Sequence, residues 1–135
     1  MQIRGTVQIN PMYCRYSLLN VQMNLQEKSI AFLRKRRASL LKRVASFDPR
    51  ILRGSLIERY LPCGKPGCKC TQGPGHGPKY YLSVSYPSQR PQQDYVPQRL
   101  RNRVAQSLAN YQKLKTLLEN ICDINRELLR RREEL

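Results

Sequence analysis

The chain contains no tryptophan, two phenylalanines, one histidine and nine acidic residues in 135. Each shortage excludes a class of function. With a single imidazole, the chain cannot supply both a histidine metal ligand and a separate histidine base. The acids Asp48, Glu58 and Asp94 are scattered and share no motif, so the paired carboxylates of a two-metal nuclease are missing. No run of eighteen apolar residues occurs, and no membrane span is expected. Met1 to Asn10 holds one arginine and no apolar stretch of useful length, so a secretory leader is not expected. A cytoplasmic, reducing setting follows, in which cysteines serve as free thiols or metal ligands rather than in disulfides. Few segments are apolar enough for a large core, which points to one small compact centre with helical extensions.

What the chain has is positive charge. Lys and Arg total 25, the formal net charge is +16 and the sequence pI is about 10.2. Such a balance repels itself unless a polyanion is present, and nucleic acid is the expected partner. The charge is uneven. Residues 1–50 carry ten basic and two acidic side chains, whereas residues 101–135 carry eight and five. The C-terminal third is thus the most balanced, as a protein-facing helix would be.

The chemistry concentrates in CGKPGCKCTQGPGHG, which holds Cys63, Cys68, Cys70 and the sole histidine, His76. Three thiolates and one imidazole are the complement that closes a tetrahedral zinc site, so Zn2+ is the expected cofactor. The spacing C-x4-C-x-C-x5-H matches no single finger type. The glycines and prolines between the ligands let the backbone curl around an ion while limiting the ways it can do so. This segment has almost no apolar side chains to order it by burial, which leaves a metal as its organiser. A thiol-redox site would call for a C-x-x-C pair beside a βαβ unit, and none is present. Four protein donors leave no open position for water, so a catalytic metal is not expected and the chain does not read as an enzyme. Cys14 and Cys122 lie far from the cluster, and neither is assigned to the metal.

Periodicity sets the framework. Asn24 and Glu27 have the relationship of a capping box, and Ile30, Leu33, Leu40, Leu41, Val44 and Phe47 form an apolar stripe. Asp48-Pro49 closes this helix. Arg34, Lys35, Arg36 and Arg37 crowd its middle, with Arg37 inside the stripe. Gly54–Leu61 and Lys79–Tyr86 alternate like strands, a turn follows at Pro87–Pro91, and Gln92–Val96 makes a short third strand. Tyr80 and Tyr86 read as packing residues, with Tyr81 on the opposite face and available for stacking on bases. Pro97 opens a last helix with heptad spacing, in which Leu118, Ile121, Asn125 and Leu128 lie on the seam. Beyond about Leu118 the first helix is expected to be too short to cover this seam, which leaves it for a second chain as a coiled coil. The expected organisation is a loose lead-in over 1–23, a basic helix over 24–48, a zinc-binding three-stranded module over 49–97 and a long amphipathic helix over 98–135. The fold class is α+β, with a small antiparallel sheet carrying a zinc loop between two helices.

The run GSLIERY at Gly54–Tyr60, CGKPGCKC at Cys63–Cys70 and GHGPKYYL at Gly75–Leu82 resembles a prokaryotic family of short zinc-knuckle-like proteins. The likeness covers residues 50–130, and residues 1–23 fall outside it. It implies a setting close to, or fused to, transposases, and brings no established activity. A weaker likeness is to the three-stranded arm-type DNA-binding domains of tyrosine recombinases, in which Ser55, Arg59, Lys79, Tyr81 and Ser83 would occupy comparable strand positions. These likenesses imply DNA rather than RNA as the nucleic acid, and a transposase or recombinase as a protein partner. Lys65, Lys69, Lys79 and Arg59 are the expected phosphate contacts around the metal, joined by Arg34, Lys35, Arg36 and Arg37 from the first helix. The competing reading is an interaction or oligomerisation adaptor that works through the C-terminal heptads.

Overall fold

Apolar residues spaced three and four apart on two segments of the chain must find each other, and here they do so as an antiparallel helical pair. The computed structural model describes residues 24–135; the lead-in expected over 1–23 and Cys14 lie outside them. Helix α1 spans Ile30–Ala45, strands β1, β2 and β3 span Ser55–Leu61, His76–Val84 and Gln92–Val96, and helix α2 spans Arg101–Arg130. The expected α+β architecture is the one observed. Leu33 and Leu40 of α1 are buried against Leu117, Ile121, Ile124 and Leu128 of α2, with Leu25, Ile30, Val44 and Phe47 around the rim. Polar pairs set the direction. Arg34 bonds Glu133 at 2.8 Å, and the Arg37 guanidinium donates to Asn125 Oδ1 at 2.9 Å.

This pairing corrects the expected role of the C-terminal seam. The half of α2 beyond Leu118 is the half that α1 covers, so Ile121 and Leu128 form the core of the single chain and Asn125 is bonded to Arg37. Leu118 is left exposed. The buried set Leu117, Ile121, Ile124 and Leu128 is rotated by one position from the heptad reading, because it follows the α1 surface rather than a second copy of α2. Arg37, which sits in the α1 stripe, keeps its stem at the helix interface and delivers its charge to an amide.

Helix α1 also starts later than Asn24. Asn24 caps only a single 3-10 turn, Leu25–Glu27; its side chain accepts from Gln26 N at 3.3 Å and donates to Glu27 Oε1 at 2.7 Å. Ser29 is the true cap of α1, with its Oγ accepting the Phe32 N–H at 3.2 Å. The reason lies at the far end of the chain. Arg131 donates to the carbonyls of Lys28, Leu25 and Gln26 at 2.6, 2.8 and 2.9 Å. A continuous helix would need those acceptors for its own turns. The same guanidinium donates to Glu127, a buried carboxylate, at 2.8 Å. At the other end α1 stops at Ala45 with Ser46 as its cap, short of Asp48-Pro49.

The sheet is an antiparallel meander in the order β1-β2-β3. Its inner face presents Tyr80 and Val96, both buried, toward the start of α2, where the Arg101 guanidinium stacks 5.0 Å from the Tyr80 ring centroid. The buried Arg101 Nε has no hydrogen-bond partner, and this cation–π contact is the interaction that offsets its burial. The connection from α1 to β1 is tied to α2 by two bonds. Leu52 N donates to Ser107 O at 3.1 Å, and the buried Asn110 donates through Nδ2 to Arg50 O at 3.0 Å. Among the described residues, no helix is long and apolar enough to cross a membrane.

The Arg131 contacts make a prediction. Arg131→Ala leaves the buried Glu127 carboxylate with the exposed Arg130 alone and removes the guanidinium from three backbone carbonyls, and should destabilise the fold by about 2–4 kcal/mol in urea denaturation. Arg130→Ala, which removes a 58% exposed side chain from the same carboxylate, should cost less than about 1 kcal/mol.

Candidate metal centre and the adjoining sheet face

The loop joining β1 to β2 brings its four soft donors to one point. Cys63 follows β1, Cys68 and Cys70 flank the start of a single 3-10 turn at Lys69–Thr71, and His76 is the first residue of β2. The three sulfurs and an imidazole nitrogen all lie within 4.8 Å of one another. Cys63 Sγ is 3.3 Å from Cys70 Sγ, and Cys68 Sγ is 3.3 Å from His76 Nε2. A tetrahedral ion with sulfur at about 2.3 Å and nitrogen at about 2.0–2.1 Å requires edges of roughly 3.6–3.8 Å, which the observed separations bracket. The four side chains are therefore close enough to bind one metal ion. All three thiols are free.

Local backbone chemistry prepares the donors. The Lys65 backbone amide and the Cys70 thiol beside Cys63 bring its thiol down to about 6. The Cys70 amide, followed by the Cys70 and His76 side chains, lowers that of Cys68. Cys70 accepts the Cys63 amide N–H at 3.4 Å, which favours its thiolate, but the adjoining Cys63 sulfur and burial outweigh this and push its thiol up. The sulfurs of Cys68 and Cys63 raise the His76 imidazole. Negative charge is thus already favoured on two sulfurs, as a cation site requires.

The glycines on either side of His76 have steric reasons to be there. Gly75 has φ 98°, and a Cβ on it would fall 2.5 Å from the Leu61 carbonyl carbon. A Cβ on Gly77 would fall 2.7 Å from Tyr60 Cδ1 and 2.8 Å from Arg59 O. His76 is held between two stretches of backbone pressed flat on β1. Pairing runs Arg59↔Lys79 and then Leu61↔His76, so Gly77 and Pro78 together oppose Tyr60 in a bulge. Proline, which has no N–H to give the ladder, is tolerated there. The Gly77-Pro78 peptide is cis.

Starting at the pair next to the bulge, the outer face of the sheet carries a distinct set of side chains. Cross-strand pairing places Arg59 opposite Lys79, Ile57 opposite Tyr81, and Tyr81 opposite Tyr95. The Arg59 guanidinium lies 5.4 Å from the Tyr81 ring centroid, and the Tyr81 and Tyr95 rings meet edge-to-face at 5.8 Å. Tyr95 is 60% exposed. The acids of the sheet, Glu58 and Asp94, alternate onto the other face, opposite Tyr80 and Leu82. Sequence reading missed Tyr95. Its signal was the pairing of β3 with β2, which sets Tyr95 beside Tyr81, but that register is invisible until the hairpin turn is known.

The predicted phosphate contacts separate into two groups. Arg59, Lys65, Lys69 and Lys79 surround the metal loop and outer sheet face, and none has a carboxylate partner among the described residues. Arg34, Lys35, Arg36 and Arg37 lie on α1, at the level of Asn125 and Glu133. Tyr80 stacks on Arg101 at the start of α2, and Arg37 meets Asn125, roughly 36 Å further along the helix at 1.5 Å per residue. Within the α1 group, Arg34 is held by Glu133 and Arg37 by Asn125, which leaves Lys35 and Arg36 without a carboxylate partner among the described residues.

Metal analysis tests the centre. The purified chain should carry one divalent ion, lose it on Cys70→Ser or Gly75→Ala, and keep it on Gly73→Ala, where the nearest atom to a new Cβ is 3.6 Å away. Acidification protonates Cys63 as pH falls through about 6, and the raised imidazole of His76 holds its proton more firmly. Affinity for the ion should therefore fall between pH 7.5 and 5.5 in a competition with a chromogenic chelator.

A family model described as a domain of unknown function (DUF6788) matches residues 30–106, more than half of the chain, and so includes α1, the metal loop and the whole sheet. No curated protein and no solved structure matches.

Proposed function

The chain belongs to the DUF6788 family, and we propose that it is a zinc-stabilised nucleic-acid-binding protein that acts on DNA. The observation that carries this reading is the direct opposition of Arg59 and Lys79 across β1 and β2, on a sheet face without an acid. Like charges placed opposite each other weaken a sheet. A polyanion laid over them turns that repulsion into binding energy through counterion release. Lys65 and Lys69 extend the same positive surface onto the metal loop.

The donor set Cys63, Cys68, Cys70 and His76 suits zinc, which takes three thiolates and one imidazole in a closed structural site. In this reading zinc fixes the hairpin's register and takes no part in chemistry, so the protein is a binding module rather than an enzyme. The accessory role beside a transposase, implied by the likeness of its cysteine block, gives such a module its setting. The coiled-coil adaptor is not favoured, since α1 already occupies the seam it would use.

Fluorescence anisotropy on labelled DNA tests the proposal. Binding should weaken steeply with salt, and the double variant Arg59→Gln/Lys79→Gln should reduce the slope of log K against log salt by about 2. Stripping the metal with a chelator should abolish tight binding. An absence of binding at low salt would overturn the nucleic-acid assignment, and iron in place of zinc in the freshly purified protein would overturn the metal assignment.

A further inference from the structure

Phosphate contacts account for the charge on the outer sheet face but not for its aromatic rings. Tyr95 leaves most of its surface in solvent although it lies on a strand, next to a sheet whose inner face offers packing. Its ring is nevertheless held in place. The edge-to-face contact with Tyr81, at 5.8 Å and 68°, fixes it from one side, and Arg59 secures Tyr81 in turn at 5.4 Å. A tyrosine has only two side-chain torsions to freeze, so such a ring offers a large flat contact at low entropic cost.

A ring of this kind can meet a base in two ways. In a duplex the π-faces of the bases are covered by their neighbours, and only edges and phosphates are accessible. In an unpaired strand each base has a free face, and stacking is the interaction that single-strand binders use alongside a positive groove. Here the two requirements adjoin. Arg59 and Lys79 form a cationic row next to the Tyr81–Tyr95 row on the same face, two cross-strand pairs along the ladder. Ser83 and Gln93, paired in the following row, are polar enough to meet base edges.

We infer that the outer face of the sheet is a stacking platform for single-stranded DNA, in which Tyr95 receives an unpaired base while Arg59 and Lys79 bind the flanking phosphates. The inference rests on the proposed nucleic-acid function and narrows it to unpaired strands. Tyr95 makes the contact directly; Tyr81 positions it.

The test uses the full metal-loaded chain with a labelled 12-nucleotide DNA strand, the blunt duplex of the same sequence and the matching RNA strand. The wild type should bind the DNA strand at least about tenfold more tightly than the duplex. Tyr95→Leu should lower single-strand affinity by between about fivefold and a hundredfold, with little change for the duplex, and Tyr95→Phe should retain it. Because the chain has no tryptophan, tyrosine emission can be read directly. It should be quenched by the DNA strand, and part of that quenching should disappear in Tyr95→Leu. Equal affinity of wild type for strand and duplex would overturn the platform while leaving the nucleic-acid function standing; this comparison depends on no variant's folding. Unaltered single-strand binding by Tyr95→Leu would also overturn it, and tighter binding of the RNA strand would overturn the choice of DNA. Failure of all three ligands at low salt would remove the underlying function and the platform together.

Discussion

Convergence of three sulfurs and one imidazole on a single point is the constraint from which the sheet takes its order. The segment from Pro62 to Gly75 has little apolar surface to bury, so its closure would cost chain entropy without return from packing. Cys63, Cys68, Cys70 and His76 are close enough to bind one cation, which would link the end of β1 to the start of β2 across that loop. The bulge opposite Tyr60 then sets Arg59 against Lys79, and each pair further along the hairpin follows. A slip of β1 by one residue would send Arg59 to the helical side and bring Glu58 outward onto the face that carries Tyr81. The donor cluster and the character of the exposed face are therefore one feature seen at two places.

The helical pair has a different logic. Its core is aliphatic, and its ends are fixed by charge and amide contacts at Arg34, Arg37 and Arg131. Arg131 is the most connected of these, serving Glu127, two carbonyls of the 3-10 turn before α1 and the Lys28 carbonyl that follows it. Such an arrangement gives the described residues two centres of order, the four-donor loop and the apolar helical pair. The connection 46–54 joins them and is tied to α2 through Ser107 and Asn110.

Much of this was legible in the sequence, and the parts that were not share a cause. The ligand set could be read because thiols and imidazole declare their chemistry whatever the fold. Strands β1 and β3 could be read because alternation is a local signal; β2 begins at His76, earlier than its alternation suggests, because Gly75 and Gly77 hug β1 in a way only the partner strand reveals. The start of α1 was misplaced because Asn24 and Glu27 do form a local cap, and the competitor for the carbonyls beyond it, Arg131, is a hundred residues away in sequence. The seam of α2 was assigned to a second chain because periodicity identifies an apolar face and leaves its occupant open. Asn110, polar and buried, carries no periodic signal at all, since its partner is the backbone of Arg50.

Helix α2 also acts as a ruler. Arg101, which stacks on the sheet, and Asn125, which meets Arg37 of α1, lie about 36 Å apart along its axis, close to one full turn of B-form duplex. Any ligand that is to touch the molecule at both of these levels must be at least that long.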